Sequence, residues 1–151
     1  MPALIECVPN FSEGRDIDIV NRIVDSARGI DGCSVLSAEP DADYNRTVVT
    51  LVGAPEAVSE GAFRIIKSSM ELIDMRNHSG EHPRLGAVDV CPFVPLEGVS
   101  MEECAELSRK LAKRVSKDLN KNFRSLNLSH SLIIIAQIVT SLLSNKSFKF
   151  T

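Results

Sequence analysis

The chain has 151 residues, a formal net charge of −3, 44% hydrophobic and 25% charged residues, which is an ordinary balance for a soluble globular protein. A chain of this length normally forms one domain with a substantial core. The negative charge argues against a nucleic-acid interface, and the absence of Trp with a single Tyr argues against stacking on bases.

Cysteine spacing and the first residues bear on the compartment. No two of the four cysteines are close enough for a C-x-x-C pair, and most lie among apolar residues, so we expect reduced, buried thiols rather than disulfides or metal ligands. They are Cys7, Cys33, Cys91 and Cys104. Residues 1–11 lack the basic and long apolar parts of a signal peptide, which predicts a cytoplasmic protein.

Apolar periodicity predicts the element order β-α-β-β-α-β-α. Residues 3–8, 33–38, 47–52 and 87–94 are predicted strands, and residues 16–28, 55–75 and 100–119 are predicted helices. Ser100 and Glu103 form a capping box for the last helix, and Pro92 indicates an edge or a bulge in the last strand. The order predicts an α+β fold of the split β-α-β type, a mixed sheet with helices on one face. Since the strands are apolar on both sides, the other face should require a partner layer.

The character of the sequence changes after residue 119. Residues 121–131 are polar, and residues 132–143 form an apolar run of about a dozen residues, whereas a membrane span needs roughly 20. We interpret this run as a strand or short helix that covers exposed core; the alternative is a weakly membrane-associated tail.

The sharpest chemical cluster is the loop at residues 76–86. His78 and His82 can act as general acids or bases near neutral pH, Glu81 can orient an imidazole, and Arg84 can bind a carboxylate in a bidentate manner. An exposed polar loop that merely contains histidines is the alternative. A zinc site is less favoured, because Gly80 and a proline argue against a helix and no third ligand is evident.

Two further loops carry polar residues. Asn10, Ser12 and Glu13 lie where a strand leads into a helix, a place that can bind anions but also uses such residues as turn and cap groups. Arg46 follows the Asp-rich turn at residues 41–45 and enters a strand; a solvated turn is the alternative there.

The three loops together resemble the formiminotransferase family, in its N-terminal subdomain. The resemblance is carried, in order and spacing, by ECVPNFSEGRD, PDADYNRTVVTLVGAPEAVSEGA, ELIDMRNHSGEHPRLGAVDVCPFVPL and MEECAELSRKLAKRVSKDLN. It covers residues 1–119. The family pattern often has His where this chain has Tyr44, which places any role of that position in doubt.

The resemblance implies transfer of a formimino group from N-formiminoglutamate to N5 of tetrahydrofolate, a co-substrate, without a metal. His82 of GEHPR is implied as the catalytic histidine, taking the proton from N5 and giving one to the departing glutamate nitrogen. The candidates for binding folate or substrate are Asn10, Ser12, Glu13, Arg46, His78 and Arg84.

Residues 120–151 do not resemble the family's continuation, so we expect a chain cut short before a second subdomain, followed by a divergent tail. The partners expected are small molecules, with a homo-oligomer or the second subdomain covering the sheet, and no nucleic acid or membrane. Two alternatives stay open: a non-catalytic folate-binding or interaction module, and a related enzyme acting on 5-formyltetrahydrofolate.

Overall fold

The computed structural model describes residues 2–81 and 86–119. Within these residues six strands form one sheet, and three helices pack against it. The strands are β1 (Leu4–Cys7), β2 (Asn10–Phe11), β3 (Cys33–Asp41), β4 (Arg46–Gly53), β5 (Val88–Val90) and β6 (Phe93–Glu97); the helices are α1 (Ile17–Asp25), α2 (Pro55–Leu72) and α3 (Met101–Leu119). A short 3₁₀ helix, Met75–Asn77, follows α2.

The long strand β4 organises the sheet. It pairs with β3 along one edge, and with β1 and β2, end to end, along the other. On the side away from β4, β6 pairs with β1 and β5 pairs with β2. Both β2 and β3 run antiparallel to β4, so these two strands, which α1 joins, point the same way with β4 between them. This confirms the α+β fold of the split β-α-β type.

Three details differ from the sequence prediction. Every pairing among the described strands is antiparallel, so the sheet is not mixed, because β4 separates the strands that run in parallel. The pair Asn10–Phe11 is a short strand rather than the end of one. The predicted strand 87–94 is two strands, since the chain leaves the ladder at Cys91 and Pro92 before Phe93 resumes it.

The helices follow their predicted apolar stripes with shorter ends. Asp16 caps α1 by accepting from two backbone N–H groups, and Ser100 and Glu103 form the predicted reciprocal box at α3. That box lowers the pKa of the Glu103 carboxyl, chiefly through the Ser100 backbone N–H. None of the described helices is both long and apolar enough to cross a membrane.

The two faces of the sheet differ in cover. On the covered face, alternate strand residues are fully buried against the three helices in a single core; they include Ile5, Cys7, Val49, Leu51 and Phe93. The intervening residues form the open face, defined here as Leu4, Glu6, Val48, Thr50, Val52 and Val94, and all of them remain partly exposed. The open face is thus partly apolar, in line with the expected need for a partner layer. The interpretation of residues 132–143 as a cover concerns residues outside the described part of the chain.

The cysteines are free thiols, and Cys7, Cys91 and Cys104 are buried. Sγ of Cys7 lies 3.6 Å from Sγ of Cys91. Burial, and secondarily the neighbouring thiol, raises the pKa of Cys7 well above its usual range. Cys7 therefore stays protonated and behaves as a small core hydrophobe rather than a nucleophile.

Candidate active site

The topology brings three loops to one end of the sheet. Phe11, the last residue of β2, pairs with Thr47 near the start of β4 and with Val88 at the start of β5. The β3–β4 turn closes at the pair Asp41 and Arg46. The turn at 12–16, the turn at 42–45 and the chain between α2 and β5 therefore meet at this end.

The turn after β2 is held by its own polar groups. The Ser12 hydroxyl donates to the Gly86 carbonyl at 2.6 Å, and Ser12 is only 1% exposed. The Glu13 carboxylate accepts from the backbone N–H groups of Arg15 and Asp16 at 2.8 and 2.9 Å. The Thr47 hydroxyl donates to the Glu13 carbonyl at 2.6 Å. In these contacts Ser12 and Glu13 stabilise the turn, the alternative that the sequence left open.

Asn45 connects all three loops. Its Oδ1 accepts from the Gly14 N–H at 3.0 Å, and its Nδ2 donates to the Ser79 carbonyl at 3.0 Å. Its backbone carbonyl accepts from Nε2 of His78 at 3.0 Å. Since a carbonyl can only accept, this bond fixes the proton of neutral His78 on Nε2 and leaves Nδ1 as the basic nitrogen.

Two glycines allow the backbones to approach closely. A Cβ on Gly14 would lie 2.3 Å from the Asp41 carbonyl oxygen, and a Cβ on Gly80 would lie 2.4 Å from that of Tyr44. No L side chain fits at such distances without a shift of the backbone. The glycines of the "SEGR" and "HSGE" motifs are thus required by loop packing.

Arg15 adds a second link between the loops. Its Nε donates to the Ala42 carbonyl at 2.8 Å, and a terminal nitrogen lies 3.3 Å from the Ser79 hydroxyl. The Glu81 N–H donates to the Asp43 carbonyl at 3.0 Å, which brings the chain beside the β3–β4 turn. The described residues of the three loops therefore converge at this end of the sheet.

Arg46 and Asn10 face the open side of the sheet. Asn10 pairs with Val48 and is 7% exposed, and Arg46 lies two residues from Val48 on the same face. Cross-strand geometry makes them diagonal neighbours, about 7–8 Å apart. The Arg46 guanidinium stacks 4.7 Å from the centre of the Tyr44 ring, and its buried Nε has no hydrogen-bond partner among residues 2–81 and 86–119.

Five of the predicted site residues thus lie around one end of the sheet: Asn10, Ser12, Glu13, Arg46 and His78. His82 and Arg84 lie outside the described residues. The sequence reasoning did not select Asn45, Arg15 or Thr47. The signal for Asn45 was its place at the end of a polar turn, because Asn is among the residues that adopt a left-handed conformation there. Its φ is 52°.

The comparisons with known proteins agree with this architecture. Residues 4–127 match the family model described as formiminotransferase domain, N-terminal subdomain. The chain belongs to this family of formiminotransferase N-terminal subdomains.

Curated relatives share this segment. The chain is 51% identical over 117 residues to a glutamate formimidoyltransferase from Thermoplasma acidophilum, covering 78% of this chain and 39% of that protein. It is 50% identical over 119 residues to a formimidoyltransferase-cyclodeaminase from Dictyostelium discoideum, covering 79% and 22%. A glutamate formimidoyltransferase from Streptococcus pyogenes is 44% identical over 119 residues, covering 79% and 40%. The chain therefore aligns with two fifths or less of each of these relatives.

Proposed function

We propose that this chain provides the N-terminal part of a glutamate formimidoyltransferase site, which transfers a formimino group from N-formiminoglutamate to N5 of tetrahydrofolate. The observation that carries the proposal is the convergence of three loops on Asn45 at one end of the sheet. The names of the relatives support the reaction class.

The reaction needs proton transfers but no redox step. The N5 lone pair of tetrahydrofolate attacks the formimino carbon, which becomes tetrahedral; N5 loses its proton, and the glutamate nitrogen gains one as the C–N bond breaks. We propose His82 as the group that accepts and returns this proton, since an imidazole has a suitable pKa for both steps. Holding the two substrates together in the correct orientation supplies the rest of the rate enhancement.

Binding of the substrates is assigned to the open side. We propose that Arg46 binds a substrate carboxylate there, because its Nε is shielded by the protein and has no hydrogen-bond partner in the described part of the chain. Arg84 and His78 are proposed as further contacts, and Asn10 as a contact to a carboxylate or to the pterin edge. Ser12 and Glu13 contribute through the turn that they stabilise.

Location and partners complete the proposal. We propose a cytoplasmic location for the protein, in which the four cysteines would stay reduced. Its partners are the two small molecules, with no metal, nucleic acid or membrane required. The partly apolar open face favours a cover formed by a second subdomain or a second copy of the chain, and we expect sedimentation of the purified chain to show self-association.

A hybrid enzyme tests the proposal, because the 151-residue chain alone is expected to show little or no turnover. In the hybrid, this chain replaces the 117 residues of the Thermoplasma acidophilum protein that it matches, and that protein supplies the rest. We expect it to form glutamate from formiminoglutamate in a tetrahydrofolate-dependent assay. His82→Ala should reduce kcat by about 10² to 10⁴ while folate binding persists.

The controls separate the alternatives. His78→Ala is the matched control, and a larger loss of kcat there than in His82→Ala would move the base to His78. A folded hybrid that binds folate without turnover would support the non-catalytic module instead. Turnover only with 5-formyltetrahydrofolate would support the related enzyme.

A further inference from the structure

Asn45 makes three hydrogen bonds to the other two loops, which its position in the sequence does not predict. It is 7% exposed, and its side chain and carbonyl contact both other loops. We propose that Asn45 is a positioning residue, which fixes the segment His78–Glu81 against the turn at residues 12–15. The inference rests on the proposed function, since that segment leads directly into the proposed catalytic His82.

The side chain is matched to its two partners. The Gly14 N–H can only donate and the Ser79 carbonyl can only accept, so the site requires one acceptor and one donor on a single short side chain. An amide meets this requirement, whereas a carboxylate would direct a second acceptor at the Ser79 carbonyl. The φ of 52° excludes most other residues, because Asn and Gly tolerate the left-handed region best.

Close backbone packing leaves the connected loops little room to move independently. Gly80 lies directly against the Tyr44 carbonyl, and Gly14 against the carbonyls of Asp41 and Arg46. Loss of the Nδ2 bond therefore releases Ser79 and the neighbouring residues together. His78 is affected too, because its Nε2 proton is held by the Asn45 carbonyl. Small displacements of reacting groups cost on the order of 100-fold in rate.

Hydrogen exchange on the full 151-residue chain tests the attachment. Asn45→Asp retains the acceptor and loses the donor, Asn45→Gly loses both, and exposed Asn21→Asp on α1 is the matched control. We expect Asn45→Asp to leave the Gly14 amide protected and to expose the Glu81 amide, which donates to Asp43. Asn45→Gly should expose both amides, and Asn21→Asp neither. Unchanged protection of Glu81 in a folded Asn45→Asp chain would overturn the proposal.

The pH dependence separates positioning from general destabilisation. When the introduced carboxyl is protonated it can again donate to Ser79, so protection of Glu81 in Asn45→Asp should return as the pH falls. In the hybrid enzyme, the same variant should lower kcat by about 10- to 100-fold with little change in KM, and its rate relative to the parent should rise at lower pH.

The outcomes for the two proposals are distinct. A positioning role would be refuted if Asn45→Asp raised KM without lowering kcat. It would also be refuted if neither the protection of Glu81 nor the relative rate recovered at low pH. A parent hybrid without turnover would refute the proposed function, while exchange in the 151-residue chain would still decide whether Asn45 fixes the segment.

Discussion

The two faces of the sheet use the same strands for different purposes. On the covered face, side chains such as Val49 and Leu51 are completely buried beneath the helices. On the open face, their neighbours Val48 and Val52 are only half-buried, and Asn10 and Arg46 lie among them. The covered face holds the fold together, and the open face supplies the groups assigned to substrate.

The difference shows how a small domain can carry a polar site on an apolar sheet. Strand alternation places each residue on one face or the other, so neither role restricts the sequence of the other. The bulge at Leu36, where the β3–β4 register shifts, leaves this side chain 64% exposed. An apolar residue so exposed at the edge of the sheet is consistent with a surface that another layer covers.

Matched leucines give the largest expected effect. Leu51→Ala should lower the free energy of unfolding by about 2–5 kcal/mol, since it removes a fully buried side chain from the covered face. Leu36→Ala should change it by less than about 0.5 kcal/mol in the monomer. Urea unfolding of both variants at low protein concentration measures the contrast. A comparable loss for Leu36 would mean that its face is already covered.

Substitution of Arg46 on the open side should weaken substrate binding and leave stability unchanged, the opposite of the effect of Leu51→Ala. Arg46→Gln removes a cation from the open side, and a charged hydrogen bond is typically worth about 1.5–3 kcal/mol, or roughly 10- to 150-fold in KM. The variant should raise KM for formiminoglutamate or folate in the hybrid enzyme without lowering its melting temperature. Arg28→Gln, which breaks an exposed ion pair with Asp25 at the end of α1, is the control. A KM unchanged by Arg46→Gln would remove Arg46 from the site.

The sequence predicted the covered face better than the site. Helical spacing identified the stripes of Val20, Ile23 and Val24, and of Leu107 and Leu111, because burial imposes a period that local sequence displays. The strand pairings could not be predicted in this way, since they join residues far apart in the chain. The sheet was therefore expected to be mixed although its described pairings are antiparallel.

The site also has features that local sequence predicts and features that depend on contacts between residues distant in the chain. The three loops were selected from their residue types and from a family resemblance, and Asn10 and Arg46 do lie on the open side. The role of Asn45 depends on bonds across 31 and 34 residues, which no local pattern reports. Sequence reasoning also considered Ser12 and Glu13 as ligands, but could not show that the Ser12 hydroxyl bonds to the Gly86 carbonyl and the Glu13 carboxylate to the backbone of its own turn.

Two buried serines probe the helix layer above the covered face, with effects of opposite sign. Ser69 is fully buried, and its hydroxyl has no partner among the described residues, whereas the Ser108 hydroxyl donates to the Cys104 carbonyl at 3.1 Å. Ser69→Ala should raise the free energy of unfolding by up to about 1 kcal/mol, because an unsatisfied buried hydroxyl is unfavourable. Ser108→Ala should lower it by about 0.5–1.5 kcal/mol. Equal losses in both variants would indicate that Ser69 is satisfied.

The smallest effect concerns the outer surface of the helix layer, where Glu60 of α2 bonds to Arg114 of α3 and to Arg64. The Arg114 bond is the main cause of a pKa of Glu60 below its ordinary value of 4.5. A carboxyl whose pKa is lowered by folding stabilises the protein above its unfolded pKa, and this contribution is lost as the pH falls through the folded pKa. Glu60→Gln should therefore lower the free energy of unfolding near pH 7, and its difference from the parent should shrink as the pH falls below 4.5.

The size of this effect should be at most about 1 kcal/mol, because the side chains of Glu60 and Arg114 remain 30% and 41% exposed and water screens the pair. Urea unfolding between pH 3 and pH 7 measures it, with exposed Glu71→Gln on the same helix as the control. Added salt should reduce the difference at pH 7. A difference between Glu60→Gln and the parent that stays constant across this pH range would show that the carboxylate charge does not stabilise the contact between α2 and α3.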